Sequence, residues 1–422
     1  MRPRTVMTTT VQASGLFGWW RAGTPEGRRA LVAAGCGWML DSFDVMLYAL
    51  VLTALMKDLG ISKPTAGLLG SVTLVASAAG GMIFGVVADR YGRTRALISS
   101  ILIYSVFTFA CGFAQTVIQL AVFRVFLGLG MGGEWASGAA LVSETWPAEH
   151  RGKALGFMQS AWAIGYGAAA LVVAVVLPIW GWRAVFFVGI LPALLTAWVR
   201  KRVQEPAIWR QRRAVASTRR YGLADVFRGG LLRITLLVTL MNACTMFAWW
   251  GFNQWIPAYL SLPEKDGGIG LSTGTMSAFI IAMQVGMWFG YITFGFISDV
   301  IGRKRAYVIY LLAAAVLVLA YGATRDTTVL LVLGPVTAFF ATGYFTGFGA
   351  VTAEIYPTEF RATAQGFTYN IGRLGSAVAP YAVGSMAATR GFGIAFSLAA
   401  GAFVLAAIVW TWIPETRGRA LA

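Results

Sequence analysis

Apolar residues along this chain neither alternate with polar ones nor recur every three or four positions. They come instead in runs of about 20, the length that crosses a bilayer core as a helix. Twelve such runs stand out, at 30–55, 66–88, 96–114, 117–143, 154–178, 184–200, 232–260, 272–297, 306–323, 328–353, 364–388 and 392–413. Short charged segments separate them. A run that leaves water must satisfy its own backbone N–H and C=O groups, so each is expected to be helical. The expected fold is therefore an all-α membrane protein with twelve transmembrane helices. Composition agrees: 58% of the 422 residues are hydrophobic and 12% charged, at mean hydropathy +0.69, more apolar sequence than a soluble chain needs.

A net charge of +17 could suggest a nucleic-acid partner, but the placement of the charge argues for a lipid bilayer. With both termini on one side, the opposite side carries Lys57, Lys63, Arg183, Lys265, Arg325 and Arg390. Arg124 and Arg373 fall inside spans, and every other Lys and Arg of the 34 lies on the side of the termini. That is the positive-inside bias, which sets N-in and C-in with an even number of spans. Basic loops facing an anionic inner leaflet account for the charge, and nucleic acid is not expected. Cys36, Cys111 and Cys244 all sit in apolar segments, so no disulfide framework, metal cluster or cofactor is implied. The first residues lack the pattern of a cleaved signal peptide and read as a cytoplasmic tail, in which Trp19 and Trp20 are candidates for the membrane interface.

The chain repeats itself. GVVADRYGRTRA from Gly85 matches GFISDVIGRKRA from Gly295, and ETWPAEHRGKALGF from Glu144 matches EIYPTEFRATAQGF from Glu354, both at an offset of 210 residues. This gives a tail at 1–29, a six-helix half at 30–200, a linker at 201–230, a second half at 231–413 and a tail at 414–422. Two parallel halves around a midplane site form a transporter architecture.

Five ionisable residues lie deep in the expected spans: Asp41, Asp44, Arg124, Glu134 and Arg373. Each central Asp or Arg costs about 2.5–3.5 kcal/mol to insert, so five unpaired ones would cost on the order of 10 kcal/mol. They should face a polar cavity and partner one another. Asp41 and Asp44 stand three apart, on one helix face. Two close carboxylates in a low dielectric cannot both ionise cheaply, which makes the pair a proton site able to work near neutral pH. The single histidine, His150, lies in a loop, so protonation at the midplane must fall on carboxylates. The alternative is that the pair caps a helix break beside Ser42. Glu134 is a second protonation candidate, or a structural residue of its GGEW segment.

Arg373 has no acid at matching depth in spans 7, 10 or 11, and an uncompensated midplane arginine invites an anionic substrate through its two-pronged fork. Snorkelling toward the cytoplasm is the alternative. Asn253, Gln254, Gln159, Gln284, Tyr369 and Asn370 offer hydrogen bonds in apolar surroundings, and Trp249 and Trp250 could wall a pocket. Proton chemistry would then belong to the first half and anion capture to the second.

The loop G-x-x-A-D-R-x-G-R-x-R after span 2, its copy after span 8, and R-x-x-x-G-x-G at Arg124, Gly128 and Gly130 resemble the major facilitator superfamily over nearly the whole chain. DSFD in span 1, GLGMGGEW at 128–135, ETWPAEHRGKALGF and WGWRAVFFVGILP at 180–192 resemble its sialate:proton symporter family, which includes sialic-acid and lactate/pyruvate carriers. The resemblance implies a monomeric, multi-pass carrier of the bacterial inner membrane that imports a small organic anion with protons by alternating access. It implies that Arg124 interacts with a span-1 acid, a static bridge being the alternative. It also implies that Asp89, Arg93, Arg95 and Glu144, with Asp299, Arg303, Arg305 and Glu354, form ion-pair networks at the inner gate. Span 7, NACTMFAWWGFNQW, departs from the polar run of the yeast lactate carriers, which counts against lactate. A proton-driven exporter or a non-transporting sensor of the same fold are the rival readings. The exporters' G-x-x-x-G-P signature is missing from span 5, no soluble domain is appended, and no nucleophile–base pair suggests an enzyme.

Overall fold

The computed structural model describes residues 18–147, 150–207, 210, 226–228, 230–357 and 361–417. Most of the expected tail and linker, and the Asp89 side chain, lie outside the described residues. The first half contains α1 (Gly18–Ala22), α2 (Pro25–Leu59), α3 (Lys63–Tyr91), α4 (Arg93–Cys111), α5 (Val117–Thr145), α6 (Arg151–Val188) and α7 (Pro192–Arg202). The second contains α8 (Leu231–Asn253), α9 (Ile256–Ser261), α10 (Thr273–Ile301), α11 (Arg303–Ala323), α12 (Thr327–Gly343), α13 (Gly347–Ile355), α14 (Arg361–Ser376), α15 (Ala379–Arg390) and α16 (Phe392–Trp410).

Among the described residues, ten helical stretches are long and apolar enough to cross a membrane. Two features reconcile them with twelve spans. Spans 5 and 6 form one apolar stretch, Arg151–Arg202, that turns back at Gly181, whose φ of 75° suits glycine. Span 11 is broken into α14 and α15, and α14 carries Gln365, Asn370 and Arg373, too polar to register as a lipid-facing helix. Large apolar side chains exposed on the outside, such as Ile118, Leu194 and Val316, form the surface that lipid covers.

The 210-residue repeat extends to helix ends. Ser62 and Ser272 cap α3 and α10, and Thr116 and Asp326 cap α5 and α12. The N-termini of α4 and α11 follow Gly92 and Gly302, both at positive φ, and no side chain of the preceding turn caps them. A glutamate from the end of each half does so instead. Glu205 accepts from the backbone of Thr94 at 3.1 Å, and Glu415 from Arg303 at 3.0 Å and Lys304 at 3.1 Å. The carboxylates satisfy orphan N–H groups and oppose the positive end of the helix dipole. Burial works against the charged form of Glu415. The backbone N–H donors of Arg417, Lys304, Arg303 and Thr416 outweigh it and hold the carboxyl below the ordinary glutamate value. A depressed folded value stabilises the fold above the unfolded value, and that stability is lost as pH falls through the folded one. Glu415→Ala is accordingly expected to melt below the wild type at neutral pH, with the gap closing in acid, as thermal unfolding in detergent at pH 7 and pH 3.5 would reveal.

Within the first half α3 packs on α5 and α2 on α6; in the second, α10 packs on α12 and α8 on α14 and α16. Gly80 lies against the Leu129 carbonyl and its repeat-mate Gly290 against that of Phe339, so backbones touch where a methyl group would not fit. The halves meet through α6 with α10, α3 with α14 and α15, and α2 with α9.

Candidate functional site

One stripe of α2 organises the polar interior. Gly37, Asp41, Asp44 and Tyr48 recur at spacings of four, three and four, which places them on a single face. The structure turns that face toward α4 and α5. Tyr104 of α4 donates its hydroxyl to the Gly37 carbonyl at 3.4 Å, and Asp41 and Asp44 are each 1% exposed. Glu134 of α5 occupies the notch that Gly37 leaves, since a methyl at residue 37 would stand 2.5 Å from its Oε1. Both Glu134 oxygens and both Asp44 oxygens are buried with no hydrogen-bond partner among the described residues.

Arg373 completes this cluster from the other half. It is 3% exposed, donates from Nη1 to Ser77 Oγ of α3 at 2.9 Å, and lies 5.4 Å from the ring centroid of Tyr369. Its charge acts on both Asp41 and Glu134, which also act on each other. The acids that compensate Arg373 thus belong to spans 1 and 4. Asp41 and Glu134 of the first half and Arg373 of the second share one place where the halves meet.

Arg124 makes different contacts. Its guanidinium stacks 3.7 Å from the Tyr48 ring centroid and its Nε donates to the Leu69 carbonyl at 3.3 Å. Asp44 lies near Thr108, and Cys111 stands close to both Asp44 and Arg124. This second cluster lies one turn nearer the outer surface than Asp41.

Beside Arg373 is an aromatic cage. Trp38 and Trp162 come from the first half, and Trp249, Trp250, Tyr291, Phe345 and Tyr369 from the second. Trp162 packs at 4.6 Å from Trp38 and edge-on at 5.8 Å from Trp249 across the interface. The void within is about 30 Å³. A larger one of about 100 Å³ lies toward the cytoplasmic ends, lined by Ser143, Gln159, Asn242, Thr352 and Gln365 among others. Tyr369 and Gln159 border both voids, and Tyr369 stacks on Trp135 of the other half at 4.0 Å and 5°. The outer side is shut. Lys63 Nζ donates to the Asp266 carbonyl at 2.6 Å, Thr53 and Ser261 hydroxyls meet at 2.8 Å, and Gly67 lies against the Pro380 carbonyl.

Of the polar residues singled out from the sequence, Arg373, Gln159, Tyr369, Trp249 and Trp250 line the cage. Asn253 bonds back to the Trp249 carbonyl at 3.1 Å, Gln254 stands beside Gly70, Gln284 faces Gly167, and Asn370 faces Gly81. Trp38, Trp162, Tyr291 and Trp135 were passed over, because an aromatic residue in a span carries no mark of which face it occupies. Glu205 and Glu415 were also missed, although they stand at the same 210-residue offset as the loop motifs.

At the cytoplasmic ends, Arg93 pairs with Glu144 at 3.0 Å, and Arg303 with Asp299 at 2.6 Å and Glu354 at 3.3 Å. Thr416 adds a hydroxyl bond to Glu354 at 2.5 Å. Each pair ties helices of one half. Arg95 and Arg305 are exposed.

The family model for the Major Facilitator Superfamily matches residues 34–293 and 267–421. The chain is 34% identical to a probable 4-methylmuconolactone transporter of Cupriavidus pinatubonensis, covering 96% of this chain and 95% of that one. It is 32% identical to the sialic acid transporter of Escherichia coli, covering 91% and 93%. The crystal structure of a D-xylose-proton symporter has the same fold, with a TM-score of 0.74 at 21% identity, over 93% of this chain and 99% of that one.

Proposed function

This chain belongs to the major facilitator superfamily of membrane transporters, and we propose that it imports a small organic acid anion by proton symport. The observation that carries the reading is the burial of Arg373, Asp41 and Glu134 within electrostatic reach of one another. Ionised, the two carboxylates outweigh the charge of the guanidinium and leave the site net negative, which repels an incoming carboxylate. Each proton they take up removes one negative charge and makes room for one on the substrate. Binding of proton and anion is then mutually favourable, the reciprocal coupling that a symporter requires.

The remaining parts follow from geometry. Tryptophan walls suit a flat, unsaturated or aromatic body better than a hydroxylated aliphatic one. Relatives named as a probable 4-methylmuconolactone transporter and a sialic acid transporter support a carboxylate larger than lactate. Lys63, Thr53 and Gly67 close the outer side, the Trp135–Tyr369 stack separates the cage from the inner vestibule, and the Arg93–Glu144 and Arg303–Glu354 pairs stiffen each half as it rocks.

The test is purified protein in liposomes that trap a pH dye. Adding benzoate, an unsaturated dicarboxylate, lactate or N-acetylneuraminate should acidify the lumen for at least one acid, beyond the passive leak in empty liposomes. Silence for every acid, with alkalinisation on adding an organic cation, would replace import with exchange-driven export.

A further inference from the structure

The cage is rich in donors. Trp38, Trp162 and Trp249 are 2%, 3% and 4% exposed, all three line the void beside Arg373, and none of their indole N–H groups has an acceptor among the described residues. An unpaired buried donor is costly, and most buried indoles find a partner. Three orphans around one void, drawn from α2, α6 and α8, are not accounted for by packing alone. Water gives a partial remedy: about 30 Å³ holds roughly two molecules, and a ligand entering the cage displaces them. Loading then leaves the indoles unpaired unless the ligand supplies oxygen of its own.

The carboxylate proposed for Arg373 does not meet this need, because the guanidinium offers several N–H groups of its own and its hydrogen bond to Ser77 uses one. We propose that the substrate carries a second hydrogen-bond acceptor, a carbonyl, lactone or second carboxylate oxygen, that receives the indole N–H groups of Trp38, Trp162 and Trp249. This rests on the carboxylate reading above and narrows it. Acids with a carboxylate and a distinct acceptor are substrates; simple aromatic or alkenyl monocarboxylates bind weakly.

Two matched pairs of acids test the idea by isothermal titration on the intact protein in nanodiscs. 4-Acetylbenzoate and 4-isopropenylbenzoate share a shape and differ by carbonyl oxygen against methylene. Muconate and sorbate differ by a terminal carboxylate against a methyl. In the wild type the acceptor-bearing member of at least one pair should bind about tenfold tighter, a difference typical of one or two added hydrogen bonds. Trp38→Phe, Trp162→Phe and Trp249→Phe keep a ring and delete the N–H, and at least one should cut that preference below about threefold, whatever the smaller ring does to the affinity both members share. Equal binding within both pairs, or a preference untouched in all three variants, overturns the inference and leaves the carboxylate reading standing, provided Arg373→Ala abolishes binding of benzoate. Failure of all these acids to bind the wild type overturns both. The wild-type comparison decides even where a variant does not fold.

Discussion

Arg373→Ala is expected to abolish carboxylate binding and proton-coupled uptake while leaving the protein folded and in the membrane. Truncating one partner of a buried, hydrogen-bonded charge pair costs about 2–5 kcal/mol, which is at least about thirtyfold in affinity. The loss is larger than for any neighbour, because within the cage Arg373 is the positive charge that faces the acids of the other half. Arg373→Lys separates charge from geometry. The ammonium keeps the attraction but cannot form the two parallel bonds, so an intermediate loss of about tenfold is expected. Binding titrations of wild type and both variants with one acid check the order. Wild-type affinity in Arg373→Ala would move carboxylate capture elsewhere in the vestibule.

Asp41→Asn is expected to separate transport from the proton gradient. The amide has the shape of the protonated acid and cannot release a proton, so the variant should bind substrate without taking one up. Exchange of labelled for unlabelled substrate across the liposome should persist within about threefold. Accumulation against a gradient should vanish, where one coupled proton sustains about tenfold per pH unit in the wild type. Asp44→Asn supplies the contrast. Asp44 lies a turn nearer the outer surface, toward Thr108 and Cys111, so its loss should slow uptake and leave accumulation in place. Full accumulation by Asp41→Asn would pass the coupling role to Glu134, and Glu134→Gln would then show the uncoupled phenotype.

The amino-acid sequence by itself determined the number of spans, their sidedness and the division into two copies. Each is a one-dimensional property: the length of an apolar run, the side on which Lys and Arg accumulate, and the recurrence of a motif 210 residues on. Even the broken span 11 was legible as a span, though its polar α14 falls short of the hydropathy of the others. The chemistry was legible as inventory. Buried Asp41, Asp44, Arg124, Glu134 and Arg373 had to matter because lipid makes unpaired charge expensive.

What the sequence did not contain was the pairing. Arg373 lies within electrostatic reach of Asp41 and Glu134, and Arg124 contacts Tyr48 and the Leu69 carbonyl, because of how α2, α5 and α14 are rotated about their axes. Trp38 and Trp162 join Trp249 across the halves for the same reason. A helix that is apolar nearly all round gives no phase: its hydrophobic pattern does not say which side faces lipid and which faces its neighbours. Close backbone contacts select that side, through Gly37 opposite Glu134, Gly80 against Leu129 and Gly67 against Pro380. Those contacts join residues far apart in the chain, and only the packed helices bring them within reach.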